Sequence, residues 1–313
     1  YVAEPDNPAD VIVTVNGPQT GLNKGFRIQD DIENTSDTAQ LVRFIVTPYT
    51  VDDNADTRCI GISDTAFIFV EPAPKVVLVP QSDTICNNDP TDILITSPSG
   101  PTHPVRFSYT VEPENPADVN VTVNGSDTSL VEGFRIQDDI ENTSDTAQLV
   151  LFIVTPYTVD DNADTRCIGI SDTTFIFVEP APKVVLVPQS DTLCNNDPTD
   201  ILITSVTGSS HPVRFSYTVE PENPADVVVT VNGPQSGLNK GFRIQDNIEN
   251  TSDTAQLVWF VVTPYTVDDM GSTRCTGIND TAYIFVEPTA KVVLVPQSDT
   301  ICNNDPTDIL ITS

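Results

Sequence analysis

The chain has 313 residues, with 45 acidic and 14 basic side chains and a formal net charge of −31. Phosphate contacts need clustered Lys and Arg, so this charge excludes a nucleic-acid partner and disfavours an anionic membrane surface. No apolar run approaches the roughly 20 residues of a spanning helix, so we expect no direct membrane insertion in this segment.

One unit of 108 residues recurs along the chain, and a more diverged third copy runs from 241 to 313. Tandem copies lengthen a chain, whereas an active site needs only one copy, so the repeat favours a stalk or fibre over an enzyme. The predicted domains are 1–73, a partial repeat without its first strands, then the complete repeats 74–181 and 182–289, then 290–313, the first strands of a further repeat. Gly25–Ser97 and Gly133–Ser205 differ only at Arg43/Leu151, Ala66/Thr174 and Ile85/Leu193.

Short alternating segments separated by Asn, Asp, Pro and Gly predict the strands of each unit. No stretch has convincing helical periodicity. Seven such segments indicate an all-β fold, an antiparallel β-sandwich of immunoglobulin type. In chain order they are Lys75–Pro80, Thr91–Ser97, Val105–Glu112, Val119–Val123, Gly133–Ile140, Ala147–Tyr157 and Thr173–Glu179.

The copies also predict which face of a strand is exposed. One position holds Arg43, Leu151 or Trp259, so we place it on the surface and its sequence neighbours in the core. The boundary at 71–75 contains two prolines that stiffen the link. We therefore expect tandem sandwiches in an extended rod, each complete one adding about 35–40 Å.

Each unit holds two cysteines, and two pairings are open. One pairing crosses every boundary and joins Cys59 to Cys86, Cys167 to Cys194 and Cys275 to Cys302. The other joins Cys86 to Cys167 and Cys194 to Cys275 within units, and leaves Cys59 and Cys302 to pair outside the segment. We favour the second, which closes a loop of about 80 residues and stabilises each unit by roughly 4 kcal/mol in the chain-entropy model. Disulfides indicate an extracytoplasmic location.

Several motifs resemble a known family: T-I-C-N-N-D at 84–89, L-V-L-F-I-V-T-P-Y at 149–157, C-I-G at 167–169 and F-I-F-V-E-P-A-P at 175–182. They are similar to the PKD-like, immunoglobulin-like repeats of giant Bacteroidota cell-surface adhesins, including gliding-motility adhesins exported by type IX secretion. The resemblance covers the whole chain and implies paired early and late cysteines, a structural and adhesive role, and no catalytic residues. The acidic insert before Cys59 departs from the shorter loop that the family implies.

The acidic loops are a candidate Ca²⁺ site, because Ca²⁺ prefers oxygen ligands that converge from a loop. The alternative is a solvated acidic turn, and we expect no other cofactor. The candidate ligands are Asp52, Asp53, Asn54, Asp56, Asp160, Asp161, Asn162 and Asp164.

An Asp-Thr pair followed by a small or apolar residue recurs three times per unit. It resembles the O-glycosylation acceptor pattern of Bacteroidota, although Asp-Thr also suits turns before strands. The candidate acceptors are Thr38, Thr65, Thr84, Thr146, Thr173, Thr192, Thr254, Thr281 and Thr300.

These observations predict a non-enzymatic stalk segment of a bacterial cell-surface adhesin or filament, projecting a distal binding region and bearing load. Its partners would be neighbouring repeats and other filament copies. One alternative is a module that binds glycans or proteins through its repeated faces. Another is a fibre subunit that assembles head to tail by strand donation.

Overall fold

The computed structural model describes residues 1–54 and 57–313, and the regular structure within them is β-strand. The first repeat forms β1 Val2–Pro5, β2 Val11–Thr14, β3 Asp31–Asn34, β4 Gln40–Val46, β5 Tyr49–Val51, β6 Thr57–Ile60 and β7 Asp64–Val70. The second forms β8 Val77–Val79, β9 Ser82–Ile85, β10 Ile93–Thr96, β11 Val105–Pro113, β12 Val119–Thr122, β13 Arg135–Ile136, β14 Asp139–Asn142, β15 Gln148–Val159, β16 Thr165–Ile168 and β17 Asp172–Val178.

The third repeat has the same order of strands as the second, and two short strands follow it. They are β18 Val185–Val187, β19 Ser190–Leu193, β20 Ile201–Thr204, β21 Val213–Pro221, β22 Val227–Thr230, β23 Arg243–Ile244, β24 Asn247–Asn250, β25 Gln256–Val267, β26 Thr273–Thr276, β27 Asp280–Val286, β28 Val293–Val295 and β29 Leu310–Thr312.

The second repeat is a sandwich whose larger sheet has the order β11-β15-β17-β9, with β16 also paired to β15. A smaller sheet has the order β13-β10-β8, and β12 pairs with β14. The third repeat reproduces this topology. In the first repeat the sheet is β1-β4-β7, beside the pairs β2-β3 and β5-β6.

Alternating side chains of the long strand β15 fill the core. Val150, Phe152 and Val154 are fully buried against residues of the smaller sheet such as Leu78 and Ile93. Leu151 lies on the opposite face and is half-buried, as are its counterparts Arg43 and Trp259. The predicted inward and outward faces of this strand are therefore confirmed.

The structure differs from the predicted strands in three places. Ser82–Ile85 is a strand that pairs in parallel with β17, so the sheet is not wholly antiparallel. Thr165–Ile168 is a strand that pairs with β15. The predicted strand Gly133–Ile140 is broken at Asp138, a fully buried residue whose N–H donates to Thr91 Oγ1 at 3.0 Å. Polar residues in these segments carry no alternating pattern, so the sequence pattern missed them.

The chain divides into two compact units. The first is Tyr1–Asn142 with Gln148–Val178, and the second is Thr143–Ala147 with Glu179–Ser313. Buried apolar clusters lie within 11–44 and 76–178 in the first unit and within 184–286 in the second. The predicted bounds 73/74 and 181/182 fall between these clusters, and 289/290 falls after the last of them; the domain bounds stay a prediction. Among the described residues, no helix is long and apolar enough to cross a membrane.

Candidate functional site: the joint between repeats

Residues at the boundary between repeats make a set of contacts that we call the joint. In the first unit the joint consists of Asp37, Thr38, Glu71, Lys75 and the loop 97–104. Lys75 Nζ lies 2.5 Å from Asp37 Oδ1, and both side chains are about half exposed. The N–H of Gly100 donates to the carbonyl oxygen of Asp37 at 2.8 Å, and Thr38 forms a parallel bridge with Gly100. Backbone and side chains thus tie the end of one repeat to the start of the next.

The second unit contains an equivalent joint built from Asp145, Thr146, Glu179, Lys183 and the loop 205–211. Lys183 Nζ lies 2.6 Å from Asp145 Oδ1. Gly208 donates to the carbonyl oxygen of Asp145 at 2.6 Å and bridges Thr146. An exposed ion pair contributes only about 0–1 kcal/mol, so it orients the joint more than it stabilises it.

A hydrogen-bonded glutamate lies in each joint, and its side chain is fully buried in the second unit and 13% exposed in the first. The side chain of Glu179 is 0% exposed, and it accepts hydrogen bonds from Ser210 N at 3.1 Å and from the hydroxyls of Ser209 and Ser210. His211 Nδ1 lies 3.0 Å from Glu179 Oε1. In the first unit Glu71 is surrounded in the same way by Thr102 and His103.

These contacts change the acidity of both glutamates. Burial raises the pKa of Glu179, but hydrogen bonds from Ser209, Ser210 and His211 outweigh burial and hold the pKa below its usual value of 4.5. The pKa of Glu71 is lowered for the same reasons. A carboxylate whose pKa is lower in the folded state stabilises the fold above its unfolded pKa, and this stabilisation is lost as the pH falls through the folded pKa.

Glu179→Gln is therefore expected to destabilise the second compact unit, which contains the third repeat, at pH 7 by about 1–2 kcal/mol, because the amide cannot accept all of these hydrogen bonds. The difference from the parent should shrink as the pH falls from 5 to 3. The urea midpoint followed by the fluorescence of Trp259, the chain's single tryptophan, measures both effects. The exposed Glu249→Gln is the control, and an equal loss in the control would contradict the role of Glu179.

The proline-containing link between repeats packs directly against a glycine. A Cβ placed on Gly169 would lie 1.8 Å from the carbonyl oxygen of Pro74, and one on Gly277 would lie 1.7 Å from that of Pro182. Pro74 and Pro182 are both buried. The glycine two residues after the cysteine, in C-I-G of the second repeat and C-T-G of the third, is therefore required by the close approach of the link.

Sequence reasoning missed the glutamate and histidine of the joint. The carboxylates that contact His103 and His211 are more than 30 residues away in the chain. A signal was nevertheless present: both histidines precede proline, both follow a hydroxyl residue, Thr102 or Ser210, and each recurs at the same spacing as the glutamates.

The structure contradicts the predicted disulfides Cys86–Cys167 and Cys194–Cys275. Cys167 and Cys194 are free thiols, as are Cys59 and Cys302. Cys86 and Cys275 are each disulfide-bonded. The boundary-crossing pairing fails as well, because each of its three pairs includes at least one free thiol.

The physical reason is that the two cysteines of a repeat lie at opposite ends of its sandwich. Cys86 follows Ile85, which pairs with Val178 beside the first residue of β15. Cys167 donates its N–H to Thr158 Oγ1 near the last residue of β15. Ten residues of strand separate these positions by roughly 33 Å, far beyond the 4.4–6.8 Å between the Cα atoms of a disulfide.

The acidic loop of the second repeat folds around its own first carboxylate. Asp160 Oδ1 accepts the N–H of Asn162 at 2.9 Å and that of Asp164 at 3.0 Å. Asp52 accepts the N–H of Asn54 in the same way, whereas Asp56 lies outside the described residues. Within the described residues no group of three acidic, His or Cys side chains could hold a metal. Ca²⁺ binding through Asp52, Asp53, Asn54, Asp160, Asp161, Asn162 and Asp164 stays a prediction.

The nine candidate glycan acceptors fall into two groups. Those at 65, 84, 173 and 281 are half-buried, and the exposed ones are Thr38, Thr146, Thr192, Thr254 and Thr300. The aspartate of the motif often accepts the N–H of the threonine, as Asp83 does for Thr84 at 2.7 Å. O-glycosylation stays a prediction, and the exposed group is the more accessible to a transferase.

A pair of aromatic residues is exposed on the outer face of the last strand of every repeat. The pairs are Phe67 with Phe69, Phe175 with Phe177, and Tyr283 with Phe285. Their alternation with buried residues such as Ile176 makes them neighbours on one face. The sequence analysis examined only the position of Trp259, which lies opposite Tyr283 on the adjacent strand, and therefore missed this stripe.

Comparison with known proteins supports the domain type. Residues 83–182 match a family model described as a PKD-like domain. Among solved structures, the crystal structure of the S-layer protein SbsC domains 4 and 5 matches at 11% identity, covering 57% of this chain and 77% of that chain with a TM-score of 0.22. The search of curated proteins found no match. The matched residues 83–182 are thus similar to a PKD-like domain, in agreement with the all-β, immunoglobulin-like sandwich fold of the repeats.

Proposed function

We propose that this chain is a structural stalk segment of a long repetitive bacterial cell-surface adhesin or filament. It projects a distal binding region and bears tension along the chain. The observation that carries this proposal is the parallel pairing of the first and last parts of each complete repeat. Gliding-motility adhesins of Bacteroidota are the finer class that the sequence motifs favour.

Tension along the chain enters a repeat through β8 and β9 and leaves it through β17. Because β9 and β17 are parallel neighbours, pulling their outer ends apart slides one strand along the other. All hydrogen bonds between the two strands are then loaded together instead of one after another. In the third repeat these bonds include Tyr283 N to Gln189 O at 2.8 Å and Glu287 N to Leu193 O at 2.9 Å.

The joint supports the same proposal. Its contacts recur in both units, so each boundary resists bending through a salt bridge, a backbone bridge and a hydrogen-bonded carboxylate. Stiff boundaries favour the predicted extended rod, which small-angle scattering of the intact chain would check. A compact particle would contradict the rod.

Single-molecule stretching of the intact chain tests load bearing. We expect the two complete repeats to unfold as separate force peaks, each releasing about 300–350 Å of chain. Asp191→Pro in β19 should lower the peak of the third repeat, since proline cannot donate to a paired strand. Val228→Pro, in the short pair β22-β24 away from the line of force, is the matched control. A featureless trace, or equal effects of both prolines, would contradict the proposal.

A second candidate function is ligand binding through the repeated faces. The exposed aromatic pairs favour it, because they recur at the same position in all three repeats and lie on one face. The ligand would be a glycan or a protein that packs on aromatic rings.

A further inference from the structure

The outer face of the larger sheet carries acidic side chains beside its exposed aromatic pair. Paired residues on neighbouring strands share a face, and one such row crosses β11, β15 and β17 through a glutamate, a leucine and a phenylalanine. A second glutamate lies just past the end of β11, where its N–H donates to the carbonyl oxygen of Leu149 at 2.9 Å. The third repeat has the equivalent row across β21, β25 and β27. We call this surface the acid-aromatic patch; it consists of Glu112, Glu114, Leu151, Phe175 and Phe177 in the second repeat and of Glu220, Glu222, Trp259, Tyr283 and Phe285 in the third.

The acid-aromatic patch is open to solvent to the same degree in both repeats. Phe175 and Phe177 are 41% and 43% exposed, and Tyr283 and Phe285 are 45% and 43% exposed. The four glutamates are exposed as well. In the part of the chain that the structure describes, none of these glutamates forms a salt bridge with a Lys or Arg side chain. Each patch therefore combines accessible aromatic rings with negative charge that no basic side chain neutralises.

The first repeat shows what this surface accepts. Its central position, which Trp259 occupies in the third repeat, holds Arg43. The guanidinium of Arg43 forms a salt bridge with Asp6, the counterpart of Glu222, and Phe67 is its paired neighbour on the adjacent strand. A guanidinium suits this setting because it binds carboxylates and packs on aromatic faces. In the first repeat the chain itself thus supplies the cation.

We propose that the acid-aromatic patches of the second and third repeats bind an arginine-bearing segment of another protein. A guanidinium of that segment takes the place that Arg43 takes in the first repeat, between the carboxylates and the aromatic pair. The net charge of −31 attracts a basic partner and repels an acidic one. The proposal rests on the second candidate function, ligand binding through the repeated faces, and is independent of load bearing.

A synthetic peptide of alternating arginine and glycine tests the proposal on the intact chain. With a fluorescent label it should bind at physiological ionic strength, which a rise in fluorescence anisotropy reports. The same peptide with citrulline in place of arginine keeps the shape but lacks the charge, and we expect it to bind at least about tenfold more weakly. Binding of the unlabelled arginine peptide should also change the emission of Trp259, because its ring lies in the patch.

Two matched double variants make the test specific. Leu151→Arg with Trp259→Arg gives both repeats the arginine that the first repeat already carries at this position, so the fold should be kept. The added guanidinium should pair with the local glutamates and weaken binding of the arginine peptide at least about tenfold. Asn120→Arg with Val228→Arg adds the same charge on the short pairs β12-β14 and β22-β24, away from the patch, and should weaken binding less than about twofold.

Glutamine in place of all four glutamates is a second route to the same loss, and it keeps Trp259 as a probe. Equal effects of the two double variants, or equal binding of the citrulline and arginine peptides, would overturn the proposal. So would a chain that binds neither peptide. A chain that binds a neutral cello-oligosaccharide but not the arginine peptide would also overturn it, although ligand binding through the repeated faces would then stand with a glycan as the ligand.

Discussion

Gly277→Ala is expected to lower the free energy of unfolding of the third repeat by about 3 kcal/mol or more. The new Cβ would lie 1.7 Å from the carbonyl oxygen of Pro182 and 2.8 Å from its carbonyl carbon. Both contacts are to backbone, so no side-chain rotation relieves them, and the link or the strand β26 must shift. A urea titration followed by the fluorescence of Trp259 measures the loss.

Thr276→Ala is the matched control, because Thr276 is exposed and precedes the glycine in the same segment. Its effect should stay within about 0.5 kcal/mol. If Gly277→Ala moved the urea midpoint no further than the control does, the close packing of the proline link against the glycine would be wrong.

Asp246→Ala should lower the free energy of unfolding of the third repeat nearly as much, by about 3 kcal/mol. Asp246 is fully buried and accepts hydrogen bonds from the hydroxyl of Tyr217 at 2.9 Å and from the N–H of Asn232 at 2.7 Å. Removing the carboxylate leaves two donors without their partner in the interior, and each such donor costs about 1–3 kcal/mol. Burial and the neighbouring carboxylate also raise the pKa of Tyr217.

Asn247→Ala tests whether the effect of Asp246 depends on burial. Asn247 is the next residue, is exposed, and accepts a hydrogen bond from Asn232 Nδ2 at 2.9 Å. We expect Asn247→Ala to lower the free energy of unfolding by less than about 1 kcal/mol, because water replaces an exposed hydrogen-bond partner. Equal shifts of the Trp259 transition in the two variants would rule out a special contribution from the buried aspartate.

The sequence predicted the elements whose side chains alternate. Val150 and Phe152 are buried and Leu151 faces outward, because one face of β15 covers the core. The strand Ser82–Ile85 could not be found in this way, since its pairing with β17 depends on backbone contacts between segments far apart in the chain. The sequence repeat predicted the period of the fold. It did not predict that β9 pairs in parallel with β17 at the edge of the larger sheet.

The cysteines show a different limit. A spacing of 81 residues is compatible with a disulfide of ordinary loop length, so Cys86 and Cys167 formed a reasonable pair. Spacing does not report which end of a sandwich a residue occupies. The parallel strand β9 takes Cys86 to one end of β15, while β16 takes Cys167 to the other. The buried Glu179 escaped prediction for a similar reason, because its partners come from a separate loop.

The parallel strand pair also determines when a repeat can fold. Ser82 pairs with Phe175, so the larger sheet cannot close until nearly the whole repeat is available. Such a high contact order makes closure slow. During that delay residues 183–205, which differ from residues 75–97 only at Leu193, are an almost equal competitor for the same edge of β17. If the repeats become available for folding one at a time, from the first to the last, correct strand pairing is favoured over exchange of strands between neighbouring repeats.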